Sequence, residues 1–297
     1  MEPVFFPAGK ASNILRGAFG PLFREAAEAA GRPHLFDRIF QPSADDVPDA
    51  ANIPSGLEEL PRPFVFRATH LDGRTLARGT EFHFDFNLFD NYLAAGAESP
   101  SEILAAAFAR FADTGVGPLR AKAELVTFHE KPIQIDFSAP AEGQTAEAVL
   151  VHRPGQEPTL AIPDRLRNLR LRFLTPTELK SDGRTVNMPE FAVLIARIRD
   201  RVSTLRALYG PGPLPIDFAA LAERAEGVRI TRCAIDRVKV ERKSSRTGQT
   251  HPIGGFLGEV EYEGNIAEFL PYLEAARWTG VGRHTVWGNG ALAYAAS

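Results

Sequence analysis

The alternation of apolar and polar residues is clearest between Glu81 and Phe89, where it predicts a strand with one apolar face. Apolar residues recur at helical spacing between Ile14 and Ala27 and again between Ile103 and Phe111, which predicts two helices. Shorter apolar runs at 3–6, 64–70 and 121–129 predict further strands, with a hairpin from 133–137 and 146–152. The first half of the chain therefore has the order strand, helix, strand, strand, helix, strand.

The second half repeats this order. Leu169, Leu171 and Phe173 alternate with arginines in a predicted strand, and a long amphipathic helix begins near Pro189. Predicted strands at 228–243 and 256–262, a helix at 266–276 and a last strand within 284–294 follow. The repeated order predicts an α+β fold of two tandem ferredoxin-like (RRM-like) domains with antiparallel sheets. The Pro- and Gly-rich stretch before Arg165 places the boundary between domains 1–164 and 165–297, and the first domain carries a long loop at 31–62.

Composition excludes several classes of protein. The single cysteine, Cys233, cannot support a disulfide framework or a cysteine zinc site. No apolar run is long enough for a membrane span and the N-terminus lacks a signal-peptide pattern, so a cytoplasmic protein with no membrane partner is expected.

Charge is unevenly distributed along the chain. The net charge is −3, but the residues from Arg165 onward hold 20 Lys and Arg against 14 Asp and Glu, a net charge of +6. The basic excess lies in two windows, 165–206 and 229–246. Local basic patches of this kind bind phosphate backbones, and a solvated basic face is the alternative interpretation.

A glycine-rich segment at 280–290 combines close-approach glycines with side chains suited to RNA. A cation, an imidazole and an indole among glycines suit a phosphate backbone and stacked bases, whereas a plain turn is the alternative. The residues are Gly280, Gly282, Arg283, His284, Trp287, Gly288 and Gly290.

Several segments together resemble a known family. They are the basic stretch Arg242–Arg246, the Gly254–Gly258 strand, the Gly280–Gly290 loop, NILRGAFGPLF from Asn13 and LRLRFLTPTEL from Leu169. As a set they resemble the CRISPR repeat-RNA processing endoribonucleases of the RAMP superfamily. The resemblance implies tandem ferredoxin-like domains, CRISPR repeat RNA (precursor crRNA) as substrate and other CRISPR effector subunits as partners. A homodimer is left open.

The sequence favours RNA cleavage without a metal or cofactor. Asp45 and Asp46 have no acidic partner nearby, so a two-metal nuclease site is poorly supported. In the alternative chemistry the 2′-hydroxyl attacks the adjacent phosphate, which leaves a 2′,3′-cyclic phosphate. That reaction needs proton transfer, for which histidine is suited, and cations for the charge.

His34 is the predicted catalytic residue. The resembled family usually carries its catalytic histidine after the first helix, which is where His34 lies, and a loop histidine without chemistry is the alternative. Lys10, Arg24 and Arg38 are candidate phosphate partners because they are close in sequence. The tyrosine or lysine that the family often adds is missing beside His34.

The predicted RNA-binding residues fall in the C-terminal half. They are Arg242, Lys243, Arg246, His251, Gly280, Gly282, Arg283, His284, Gly288 and Gly290. Two other functions remain open from the sequence: a non-catalytic RAMP subunit that binds guide RNA in an effector complex, and an unrelated interaction protein with the same fold.

Overall fold

A computed structural model describes residues 3–47, 53–54, 57, 59–91, 93, 99–137, 166–239, 241–243, 250–252 and 254–297. The predicted strand at 146–152, the predicted domain boundary at 164/165 and Arg246 lie outside these residues.

The first half builds short strands around two main helices. Its elements are β1 (Val4–Phe5), α1 (Ala11–Ala29), α2 (His34–Phe40), β2 (Phe64–Arg67), β3 (Thr75–Leu76), β4 (Asp85–Leu88), α3 (Ser101–Ala109) and α4 (Phe111–Thr114). β1 pairs with β3 and β2 with β4, both antiparallel. α1 packs against α3 and runs unbroken through Pro21, at which the sequence predicts a kink or a break.

Phenylalanine rings fill the core of this half. Phe19 of α1 is fully buried, and five other rings have centroids between 4.2 and 5.9 Å from its own. A fully buried ring of this size contributes roughly 1.5–3 kcal/mol through removal from water. The neighbours are Phe23, Phe40, Phe66, Phe86 and Phe108.

Two predictions for this half are wrong in detail. The segment predicted as a loop from residue 31 contains α2, whose Leu35, Phe36, Ile39 and Phe40 are buried at helical spacing. No strand is assigned within 121–137, where Ala121 forms an isolated bridge with Val116. An alternating pattern favours extended backbone, but a strand also needs a neighbouring edge with which to bond.

The second half contains the larger sheet. Its elements are β5 (Asn168–Thr177), β6 (Lys180–Ser181), β7 (Arg184–Thr185), α5 (Phe191–Tyr209), α6 (Phe218–Glu226), β8 (Arg229–Val238), β9 (Glu241–Lys243), β10 (Thr250–Pro252), β11 (Gly255–Glu263), α7 (Leu270–Thr279) and β12 (Leu292–Ala296). The sheet order is β12-β5-β11-β8, with every neighbouring pair antiparallel. With α5 and α7 as the connecting helices, this is the ferredoxin-like arrangement that the element order predicts.

Register assigns the two faces of this sheet. Leu169, Leu171 and Phe173 of β5 are buried in the core beneath the helices, while Arg170 and Arg172 between them are exposed. Leu171 pairs with Val260 on β11 and with Tyr294 on β12. The alternation in the sequence thus reports the two sides of the sheet correctly.

Candidate nucleic-acid interface

The glycine-rich loop connects α7 to β12 and includes a short 3₁₀ turn at Thr285–Trp287. It packs on the N-terminal half, since the turn contacts both α1 and β2. A Cβ added at Gly288 would lie 2.4 Å from the Cβ of Ser12 on α1. The sequence predicts Ser12 as a helix cap, but α1 begins at Ala11, whose N–H is bonded by Asp72 Oδ1 at 2.9 Å. Ser12 instead meets the loop.

The other glycines of the loop also meet the protein itself. A Cβ at Gly290 would lie 2.0 Å from the carbonyl oxygen of Val281, and one at Gly282 would lie 2.3 Å from that of Glu178. Gly290 has φ of 71°, a left-handed conformation that side chains disfavour. These glycines allow the backbone to approach protein, so their presence alone does not identify a phosphate site.

His284 and Trp287 form a flat pair within the loop. Their ring centroids are 4.7 Å apart and the planes differ by 5°. Both residues are partly buried, and His284 has φ of 63°. Arg283 is exposed and its Nη1 lies 3.3 Å from Glu178 Oε1. The loop therefore offers one paired cation and one stacked aromatic pair at its surface.

The predicted basic hairpin is present as backbone. β9 pairs antiparallel with β10, and Arg242 is the Cα partner of His251, while Lys243 is the partner of Thr250. Arg242, Lys243 and His251 therefore belong to one hairpin, whereas the sequence predicts His251 on a polar loop between two strands. The chain that joins its two strands, including Arg246, is outside the described residues.

Several arginines of the two basic windows are paired with carboxylates. Arg170 Nη2 lies 3.1 Å from Glu261 on the outer face of the sheet, and Arg229 Nη2 lies 3.0 Å from Glu263. On α5, Arg197 and Arg199 both pair with Asp200. Ion pairs occupy these positions of the sheet, whereas RRM-like readers place aromatic rings there to stack bases. The solvated-face interpretation therefore fits these paired arginines.

His34 is exposed at the first position of α2. Phe36 and Phe40 pack α2 against Phe23 of α1, with centroids 6.2 and 5.8 Å from it. The guanidinium of Arg24 lies 4.3 Å above the ring of Phe36, a cation–π contact. Neighbouring aromatic packing thus fixes the helix while leaving the imidazole at the surface.

The candidate phosphate partners of His34 have different environments. Arg38 is anchored by Asp90, with Nε 2.6 Å from Oδ2 and the carboxylate fully buried. Arg24 and Lys10 are exposed. Arg38 is therefore a structural anchor of α2, whereas Arg24 lies beside Phe36 with its guanidinium accessible.

His34 and the glycine-rich loop lie at different levels of α1. Ser12 contacts the loop, whereas α2 packs near Phe23, about 16 Å further along the helix axis. The contacts that α1 makes with the loop and with α2 are therefore about three helical turns apart.

The sequence does not reveal a pair of buried cations beneath the loop. Burial lowers the pKa of Arg67 to about 10, which Asp85 partly opposes. Burial, and then the charge of Arg67, lower the pKa of Arg201 to about 9. Both groups stay charged at neutral pH, which lies below both values. Arg201 belongs to a row of arginines on one helix, and nothing in their spacing distinguishes it.

Two properties of the described chain bear on its class. No group of three or more His, Cys, Asp or Glu within the described residues is arranged to hold a metal ion. None of the described helices is long and apolar enough to span a membrane.

The segment that contains the sheet and its glycine-rich loop matches the model of a known family. The family model of the CRISPR-associated endoribonuclease Cas6 matches residues 171–292, which run from β5 to β12. The C-terminal half of the chain is therefore similar to the Cas6 family. A second model, the N-terminal domain AF_1859_N, matches residues 1–146. No curated protein sequence matches the chain.

Solved Cas6 structures share the fold. The product complex of Cas6 (TTHB231) from Thermus thermophilus gives a TM-score of 0.55 at 18% identity, over 99% of this chain and 97% of that one. The product complex of Cas6 (TTHA0078) gives 0.52 at 18% identity, over 99% and 96%. The likeness confirms the predicted tandem ferredoxin-like fold.

Proposed function

We propose that this chain cleaves CRISPR repeat RNA (precursor crRNA) to release guide RNAs. The observation that carries the proposal is the Cas6 match at 171–292, which runs from within β5 to the start of β12 and contains the glycine-rich loop. Two Cas6 proteins of the same fold were solved as product complexes. Other CRISPR effector subunits are the partners expected in this role.

The proposed cleavage needs no metal, because RNA supplies its own nucleophile. The 2′-oxygen forms a bond to the adjacent phosphorus, and the bond from phosphorus to the 5′-oxygen breaks. The 2′-hydroxyl proton goes to a base and the leaving 5′-oxygen takes a proton from an acid, so the products are a 2′,3′-cyclic phosphate and a 5′-hydroxyl.

His34 is the residue proposed for the proton steps. Its exposure at the start of α2 gives RNA access to an imidazole, which transfers protons near neutral pH. Arg24, on the neighbouring face of α1, is the proposed cation for the charge that develops on the phosphate. The β9–β10 hairpin and the outer side of the glycine-rich loop are proposed to bind the rest of the RNA.

The test is cleavage of end-labelled repeat RNA in excess EDTA by wild type and His34→Ala. We expect His34→Ala to cleave at least about 100-fold more slowly, since positioned general acid–base groups contribute about 10²–10⁴-fold. His129→Ala is the matched control, because His129 is also exposed but lies in the segment after α4. The control is expected to cleave at the wild-type rate.

The outcomes separate the open interpretations. Equal cleavage by wild type and His34→Ala would keep the nuclease and reject His34, leaving His251 and His284 as candidates. Tight RNA binding by wild type without cleavage would instead support a guide-RNA-binding subunit. A requirement for added metal would reject the metal-independent chemistry.

A further inference from the structure

The C-terminal end of α7 is held by side chains from both halves of the molecule. Arg67 Nη2 on β2 and Asn87 Nδ2 on β4 donate to the carbonyl oxygen of Trp278, at 3.3 and 3.2 Å. Arg201 Nε on α5 donates to the carbonyl oxygen of Thr279 at 2.9 Å. The next residue is Gly280, where the glycine-rich loop begins.

These contacts fix the point from which the loop departs. The last carbonyls of a helix have no partner within it and carry the negative end of the helix dipole. Two guanidinium groups and one amide satisfy that end from outside. A Cβ at Gly280 would lie 3.1 Å from Arg67 Nη2, so the loop starts in direct contact with the guanidinium.

Burying the two positive charges of Arg67 and Arg201 close together costs free energy, and a hydrogen bond to a helix carbonyl does not need a charged donor. Neither Arg67 nor Arg201 has a carboxylate within 4.0 Å among the ion pairs of the described residues. Arg67 Nε and Nη1 and Arg201 Nη2 are buried without a hydrogen-bond partner in the described chain. Asn87 shows that a neutral amide can bind the same carbonyl. The charge itself therefore has a use here, which is to hold the helix end from both sides.

We infer that Arg67 and Arg201 are positioning residues that hold the glycine-rich loop at the joint between the two halves. Arg67 belongs to the N-terminal half and Arg201 to the C-terminal half. The position of the loop therefore depends on how the two halves pack together. The consequence for cleavage rests on the proposed function: a correctly placed loop orients bound RNA for cleavage at His34.

The first measurement is hydrogen exchange of the backbone amides at 280–290 in Arg201→Met and in wild type. Methionine keeps similar volume but removes the charge and the donor. We expect at least about tenfold faster exchange in the loop, because its amides are bonded to the loop itself and to β5, as Gly290 N–H is to the Pro176 carbonyl oxygen, and these bonds open when the loop loses its anchor. Arg197→Met is the matched control on the same helix, since its partner Asp200 lies at the surface. This measurement needs no RNA.

The second measurement separates binding from cleavage well below the melting temperature. Arg201→Met and Arg67→Met are expected to slow single-turnover cleavage at saturating enzyme about tenfold, with Kd for repeat RNA changed less than about threefold. Arg201→Lys, which keeps the charge and a donor, is expected to recover part of the rate. A loss of stability alone would be relieved well below the melting temperature, and it would not separate the cleavage rate from Kd.

Each outcome has one meaning. If the loop amides of Arg201→Met and Arg67→Met exchange at the wild-type rate, the inference is overturned. It is also overturned if the loop exchanges faster while the variants cleave at the wild-type rate. A parallel loss of rate and affinity would make the arginines part of the RNA-binding surface and would also overturn it. If wild type does not cleave at all, the proposed function fails, while hydrogen exchange still decides whether the arginines position the loop.

Discussion

The two ends of helix α1 are fixed by opposite means. Near Ser12, the glycine-rich loop approaches so closely that only glycine fits at position 288, and buried cations hold the loop in place. Near Phe23, aromatic rings and the Arg38–Asp90 pair hold α2, while His34 remains exposed. The first end lies in the contact between the two halves. The second end carries an exposed side chain, His34, on a well-packed helix.

This difference separates two uses of residues that look functional in a sequence. Glycines, an arginine and aromatic rings at 280–290 suggest RNA contacts, yet the glycines lie against the protein's own backbone. A lone histidine between a proline and an apolar run is unremarkable in sequence, yet it is placed where a substrate has access. Changes at the joint should therefore affect stability first, and changes at His34 should affect activity alone.

The largest effect on stability is expected where α2 is anchored. Arg38→Met leaves the fully buried carboxylate of Asp90 without its cation, and breaking a buried pair in this way costs about 3 kcal/mol. The expected fall in melting temperature is about 6 °C or more. Adding Asp90→Asn to the same variant removes the uncompensated charge and should recover part of the loss. An unchanged melting temperature in Arg38→Met would show that the pair does not hold this end.

Gly290→Ala is expected to weaken the joint by about 2 kcal/mol. The added Cβ meets the Val281 carbonyl and also adopts an unfavourable positive φ, so two costs combine. Gly79→Ala is the matched control, because Gly79 has φ of 80° but nothing within 4 Å of the added Cβ. The control should lose only about 1 kcal/mol. Equal losses in chemical denaturation would mean that close approach at the joint contributes nothing.

Arg24→Ala is expected to have a smaller effect at the His34 end. It removes a cation–π contact with Phe36, which is worth about 0.5–1 kcal/mol at an exposed site. Arg24→Lys keeps a cation over the ring and should lose less. Urea denaturation of Arg24→Ala, Arg24→Lys and wild type checks the order of these stability losses. A larger loss in Arg24→Lys would show that the cation–π contact does not stabilise α2.

His34→Ala is expected to change the free energy of unfolding by less than about 0.5 kcal/mol, since its side chain is exposed. The same variant is expected to lose cleavage, so stability and activity separate at this residue. A clear drop in melting temperature would indicate that His34 supports α2, and the lost activity would then no longer identify a catalytic group.

Periodicity predicted the second half more accurately than the first. The alternation at Leu169–Phe173 is kept in the register of the four-stranded sheet, because each of these five residues is paired with β11 on one side and with β12 on the other. The same kind of pattern after Ala121 did not yield an assigned strand. Helix α2 was missed because prolines and acidic residues around it resemble a loop, although Leu35, Phe36, Ile39 and Phe40 carry helical spacing.

The sequence by itself determined the ferredoxin-like element order, the buried face of each main helix and strand, and the family resemblance that the Cas6 match confirms. These depend on local preference and on spacing along one element. Only the tertiary structure decided that Gly288 meets Ser12 and that Arg67 and Arg201 converge on the end of α7. Each of those facts joins residues from distant parts of the chain, and no periodic pattern encodes which surfaces meet when two halves pack.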